Sequence, residues 1–214
     1  MSVTTNHNER SFGILLKRFH VHKNLFSKKE CARIIRYFEG NTSERASIVD
    51  VEESKEQIVP IEDTEVRDGR IVFCRHNDAE MNFAFQKLYY ASIWANFGWS
   101  LLPLRFLQIA EYDANQIGGF YQRHRDIIEN SKPQRIISAV TQLSAPEEYT
   151  GCNLIFDGDS TAPDAIEYCN VGDTIFFTSI EPHEVTPVLT GKRYSLTAWF
   201  EGPTIWNDES EYYV

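Results

Sequence analysis

The chain has 214 residues, 42% apolar and 13% aromatic, enough to bury a sizeable core, which excludes a disordered chain and a minimal scaffold held by disulfides. Its formal charge of −10 argues against a phosphate backbone as partner, because such readers present a basic face, so no nucleic acid is expected. The cysteines Cys31, Cys74, Cys152 and Cys169 form no C-x-x-C pair and no disulfide framework, which points to a reducing cytoplasm.

The opening "MSVTTNHNERSFGILLKRFH" holds only a short apolar run before Lys17, too little for a signal segment, and no stretch approaches the length of a membrane span. A soluble cytoplasmic protein, monomer or homodimer, is the expectation. "SKKECARIIRYFEG" predicts the first helix, with Ser27 and Glu30 as a capping box, Cys31, Ile34, Ile35 and Phe38 at helical spacing, and Gly40 as its terminator. Residues 41–68 carry nine acidic against three basic side chains without a sustained period, which predicts a long loop or an irregular hairpin. "RIVFCR" at 70–75 reads as a strand, and "DAEMNFAFQKLYYASIWANFG" as a second helix opened by Asp78 and closed near Gly98.

From residue 104 the chain turns to short runs rich in β-branched and aromatic residues: "LRFLQIAEY", "RIISAVTQLS", "CNLIF", "IEYC", "DTIFFT", "HEVTPV" and "RYSLTAWF". Many short strands with turn residues between them predict a jelly roll or sandwich, mostly β with supporting helices. The expected division is a support layer over 1–103, a core over 104–202 and a tail over 203–214, in one structural domain.

Within the core, "FYQRHRD" places His124 and Asp126 two apart, so on an extended strand both point to one side. A third ligand is available in His183 of "IEPHEVTPV", expected to meet the first pair across the barrel. Two neutral imidazoles and one carboxylate on one face of an ion leave positions open, the arrangement of non-haem Fe(II) oxygenases. On the last strand, alternation puts Arg193, Ser195, Thr197 and Trp199 on one face, and an inward Arg193 needs an anionic partner such as a ligand carboxylate. Lys192 is the alternative anchor, but alternation assigns it to the opposite face. A second H-x-H pair, His20 and His22, has no nearby carboxylate and reads as solvent-facing.

The ordered set H-R-D, H-E-V and G-K-R-Y-S-L-T-A-W resembles the Fe(II)/2-oxoglutarate-dependent dioxygenase superfamily, in its prolyl 4-hydroxylase-like branch, over residues 104–202. The resemblance implies a double-stranded β-helix, His124, Asp126 and His183 as iron ligands, and Arg193 as the anchor for the far carboxylate of 2-oxoglutarate. It implies Fe(II), 2-oxoglutarate and dioxygen as cofactor and cosubstrates, and leaves room for ascorbate. Tyr112 resembles the tyrosine that holds 2-oxoglutarate, Tyr121 the aromatic residue before the first ligand, and Leu154 of "TGCNLIF" a pocket wall; Thr197 lies along the cosubstrate, Trp199 and Gln142 toward the substrate. Each of Tyr112, Tyr121 and Trp199 reads equally well as a core aromatic. Cys152 stands in place of the second glycine of the G-G-x-L strand, and Gln142 in place of a tyrosine near the cosubstrate.

The activity so implied is hydroxylation of an unactivated C–H bond, since Asp126 fills the position that related halogenases leave empty. The target is a prolyl or other residue of a protein or peptide, with a free amino acid or other small metabolite as the alternative. A non-enzymatic jelly-roll binding module is the reading from a different class. The acidic segment, with Glu52, Glu53 and Glu56, is either a lid favouring a basic peptide or a solvated surface loop.

Overall fold

The computed structural model describes residues 17–52, 57–115, 119–128, 131–156 and 162–202, with the backbone alone for 48–52 and 57–61. Glu53, Glu56, the side chain of Glu52 and the tail from 203 therefore lie outside the described residues.

In chain order the elements are β1 (Phe19–His22), α1 (Lys28–Gly40), β2 (Glu44–Arg45), β3 (Ile48–Glu52), β4 (Gln57–Ile61), β5 (Arg67–Asp68), β6 (Arg70–Arg75) and α2 (Asn82–Ala95). The second half is β7 (Phe106–Asp113), β8 (Phe120–His124), β9 (Gln134–Gln142), β10 (Tyr149–Gly151), β11 (Leu154–Phe156), β12 (Thr174–Thr178), β13 (His183–Val185) and β14 (Val188–Gly202). A large antiparallel sheet runs β1-β12-β9-β14-β7-β6-β2, with β10 also on β14; a smaller one runs β11-β13-β8-β5, and β3 pairs with β4 as a separate hairpin. This is a jelly roll with two supporting helices.

The capping box forms as its residue types require: Glu30 N–H donates to Ser27 Oγ at 3.3 Å, and Ser27 N–H to the Glu30 carboxylate at 2.8 Å. Gly40 does not end α1 in a left-handed turn; it remains helical, and the extended Asn41 caps by donating its N–H to Phe38 O. Asp78 acts one turn ahead of α2, accepting from the N–H groups of Glu80 and Met81, while the left-handed Asn96 closes that helix. The irregular-hairpin alternative for the acidic stretch takes the form of β3 and β4, between the two-residue strands β2 and β5. "IEYC" is not a strand: residues Ala165–Tyr168 form a 3₁₀ turn opened by Asp164. The run is too short to show a period, and Glu167 accepts from the Asp164 N–H at 3.0 Å, which favours the turn.

Alternation along the strands divides the interior in two. Leu107, Ile109, Phe176, Leu196, Ala198 and Phe200 face the helices and pack with Ile34, Phe38 and Leu88. Their neighbours Ala110, Tyr112, Ile175 and Phe177 face the small sheet and pack with Leu154 and Val185. The helices therefore brace the large sheet from outside, and the space between the sheets is left for the site.

Candidate active site

His124 is the last residue of β8 and His183 the first of β13, and the antiparallel register sets them directly opposite. They are neighbours on adjacent strands of the small sheet rather than partners across the barrel, and their ring centroids lie 4.2 Å apart. Asp126 is already off the strand, so strand alternation does not aim it. Instead its N–H donates to Ser179 O at 3.0 Å, and the turn this anchors swings the carboxylate back toward the two rings. His124 Nε2 stands 3.7 Å from one carboxylate oxygen and His183 Nε2 3.6 Å from the other.

Hydrogen bonds to two backbone carbonyls set the ring orientation. Nδ1 of His124 lies 2.8 Å from the Gln122 carbonyl and Nδ1 of His183 2.9 Å from the Glu181 carbonyl, so each Nδ1–H donates outward and each Nε2 offers its lone pair inward. Burial holds His183 neutral, down to about 4. Burial alone would raise Asp126, but His183 and His124 in their protonated forms outweigh it and hold the carboxyl well below its usual range. Ligand atoms of the three residues all fall within 4.8 Å of one another, close enough for one cation to bridge. Two neutral imidazoles and one ionised carboxylate fit a divalent metal such as Fe(II).

Arg193 lies in the same pocket and is 1% exposed. Its Nε donates to Gln142 Oε1 at 2.9 Å, whereas Nη1 and Nη2 are buried and have no hydrogen-bond partner among the described residues. Two unsatisfied donors on a buried cation fit a bidentate carboxylate, the group that a 2-oxo diacid presents. Lys192 takes the other face, as alternation requires, and is committed to Glu111 at 2.9 Å and Asp113 at 3.1 Å.

Tyr112, Leu154, Thr197 and Trp199 also line this pocket. Tyr121 stacks on His124, centroids 3.5 Å apart at 16°, and burial pushes its phenol up to about 12. Gln142, expected toward the substrate, sits at the Arg193 end, opposite Ser195 in the β9–β14 register, while Trp199 stands opposite Ser138. Cys152 adopts φ 51° next to Gly151 at φ 70°, so the second position of the G-G-x-L strand is one where glycine is unstrained. His20 and His22 lie on β1, at the far edge of the large sheet. Arg67, which also lines the pocket, carries no sequence signal: it sits on a two-residue strand inside the acidic stretch.

Residues 107–201 match the family model of the 2OG-Fe(II) oxygenase superfamily. PKHD-type hydroxylases of three Shewanella baltica strains are 32% identical over 104 residues, 47% of this chain and 45% of theirs, so the chain spans about half the length of the curated relatives it matches. Among solved structures, a viral collagen prolyl hydroxylase from Paramecium Bursaria Chlorella virus-1 shares the fold at TM-score 0.61 and 17% identity, over 87% of this chain and 97% of that one. A Pseudomonas putida prolyl-4-hydroxylase does so at TM-score 0.61 and 20% identity, over 87% and 93%. A Trichoplax adhaerens prolyl hydroxylase, solved with a hypoxia inducible factor peptide fragment, does so at TM-score 0.63 and 15% identity, over 86% and 83%. Motif order and family model agree that residues 107–201 are similar to the 2OG-Fe(II) oxygenase superfamily, and the fold is the one these prolyl hydroxylase structures share.

Proposed function

We propose that the protein is an Fe(II)- and 2-oxoglutarate-dependent dioxygenase that hydroxylates an unactivated C–H bond, of a prolyl or other residue in a protein or peptide. The observation that carries this reading is the pairing, in one pocket, of the His124–Asp126–His183 cluster with the two unpartnered nitrogens of Arg193. A non-enzymatic binding module would have no use for a desolvated guanidinium beside an open ligand set.

In this reading His124, Asp126 and His183 hold Fe(II). When bound, Fe(II) with 2-oxoglutarate and dioxygen supplies the oxidising power to insert one oxygen atom into a C–H bond, 2-oxoglutarate leaving as succinate and carbon dioxide. The Gln122 and Glu181 carbonyls keep each Nε2 unprotonated and aimed inward. Arg193, steadied by Gln142, binds the far carboxylate of 2-oxoglutarate, with Tyr112, Leu154 and Thr197 as walls of its slot and Tyr121 backing His124. Trp199 faces the substrate. The unit carrying the activity is the core of 104–202 on its support layer of 1–103.

The second reading, a free amino acid or other small metabolite as substrate, is favoured by Gln142, which occupies the Arg193 end where the prolyl hydroxylase pattern expects a tyrosine. Anaerobic titration with Fe(II) and 2-oxoglutarate tests the class, and a screen of peptides and amino acids read by mass spectrometry for one added oxygen tests the substrate. Failure to bind 2-oxoglutarate in the presence of metal overturns the proposal.

A further inference from the structure

Two of the three metal-ligand candidates are aimed by one turn. Residues 179–182 join β12 to β13, and within them Ser179 O accepts the N–H groups of Asp126 and Ile127, each at 3.0 Å. Glu181 O lies 2.9 Å from Nδ1 of His183. Whatever fixes this turn fixes both side chains.

Arg18, the residue just ahead of β1, grips the turn from outside. Its Nε donates to Glu181 Oε1 at 2.6 Å and its Nη2 to Oε2, a fork on both carboxylate oxygens. Arg18 O in turn accepts the Thr178 N–H at 3.1 Å, and Thr178 Oγ1 donates to Glu181 Oε1 at 2.9 Å. The next residue adds an apolar route to the same place. Phe19 meets Phe156 edge to face, with centroids 5.0 Å apart, and Phe156 lies 5.9 Å from the ring of His183.

An Arg–Glu pair often does no more than hold one element onto another, and exposed pairs contribute little to stability. Here the arginine side chain is 46% exposed, but that of the glutamate is only 3%. Glu181 is fastened to the turn by its N–H, which donates to Thr178 O at 2.9 Å, as well as by its side chain. Without Arg18 its buried carboxylate keeps, among the described residues, only the Thr178 hydroxyl as hydrogen-bond partner. A buried charge so poorly compensated relaxes toward water. The carbonyl that orients His183 belongs to the same residue and moves with it, and Ser179 O is two residues away.

We propose that Arg18 is a positioning residue of the metal centre, holding the 179–182 turn through Glu181 so that Asp126 and His183 converge on one ion. This rests on the metal-binding reading above. Arg18 touches neither the metal nor the substrate and acts only through the turn.

The test titrates the full chain with Mn(II), a redox-silent ion, by calorimetry at a temperature where circular dichroism shows every variant folded. Arg18→Gln weakens Mn(II) binding about 10-fold, the lower end of the range for losing a group that orients a ligand, and changes the electron paramagnetic resonance line shape of the bound ion. Arg18→Lys gives an intermediate Kd, since the charge survives without the fork, and it carries the test alone if Arg18→Gln does not fold. Lys23→Gln is the control: it breaks the 3.2 Å pair with Asp173 just past the other end of β1, so it loosens the same strand without touching the turn. That variant lowers Tm and leaves the Kd for Mn(II) unchanged. An unchanged Kd in the folded Arg18 variants, or an equal weakening in Lys23→Gln, overturns the proposal and reduces Arg18 to a fastening of β1. Absence of Mn(II) binding by the unmodified protein would instead sink the metal-binding reading on which it rests.

Discussion

Gln142 Oε1 accepts the Nε–H of Arg193 at 2.9 Å, a contact between β9 and β14 that fixes the plane of the guanidinium and leaves its other two nitrogens facing the pocket. Arg193→Ala is expected to weaken 2-oxoglutarate binding by roughly 2–5 kcal/mol, the range for losing a buried charge pair. Arg193→Lys retains part of the affinity, since charge survives without the fork. Gln142→Leu leaves a third buried nitrogen unsatisfied and costs about 1–3 kcal/mol of stability, with weaker cosubstrate binding. Calorimetric titration with 2-oxoglutarate and a denaturant curve measure the two effects; unchanged affinity in Arg193→Ala would place the anchor elsewhere.

That contact also marks where sequence reasoning stops. Period-two alternation on β14 was enough to put Arg193 inward and Lys192 outward, and the capping box at Ser27 and Glu30 is a local pattern with a local cause. The pairing of Gln142 with Arg193, and of His124 with His183, depends on which strands neighbour one another and in what register. Residue spacing carries no such information when the partners are 51 residues apart. Asp126 illustrates a milder failure: H-x-D spacing predicts that His124 and Asp126 meet through strand alternation, whereas the carboxylate is aimed by a turn anchored on Ser179. Arg67 was illegible altogether, its two-residue strand being too short for any period.

Metal should stabilise the folded chain measurably. If His124, Asp126 and His183 hold one ion, Mn(II) at a hundredfold excess over its Kd adds about 2.7 kcal/mol by mass action. For a chain of 214 residues this raises Tm by roughly 5–10 °C. Asp126→Ala should keep its circular dichroism spectrum, because the two sheets bury their cores without the ion, and should lose the Mn(II)-dependent rise. Thermal scans with Mn(II) and with EDTA decide the matter, an equal rise in Asp126→Ala counting against the cluster.

Acid sensitivity is expected at the start of α1. Burial tends to raise the Glu30 carboxyl, but hydrogen bonds from Lys87 and from Ser27 hold it down at about 2, against 4.5 for the free side chain. A carboxyl depressed in the folded state contributes stability that is present above the unfolded value and is lost as pH falls from about 4.5 toward 2. Glu30→Gln should therefore lower Tm at pH 7, and the gap to the unmodified protein should narrow through that window. Scans at pH 7, 4.5 and 3 on both proteins would show it. A gap independent of pH would mean that the glutamate acts only as a neutral cap.

Lys192 and Arg193 are adjacent, both basic, and point to opposite faces of β14, which makes Lys192→Met the control for the anchor assignment. Lys192 meets Glu111 at 2.9 Å and Asp113 at 3.1 Å, on the face away from the pocket. Glu111 is 3% exposed and also accepts from Tyr194 Oη at 2.6 Å, with Arg70 at 3.6 Å. Removing Lys192 leaves that carboxylate with weaker compensation, but two partners remain, so the cost should be about 1–3 kcal/mol rather than that of an isolated buried charge. Because the methionine stem preserves the packing of the lysine alkyl chain, the loss measures charge more than shape. Affinity for 2-oxoglutarate, corrected for any unfolded fraction, should match that of the unmodified protein. A Lys192→Met protein of normal stability that binds the cosubstrate poorly would reverse the assignment of faces and, with it, the role given to Arg193.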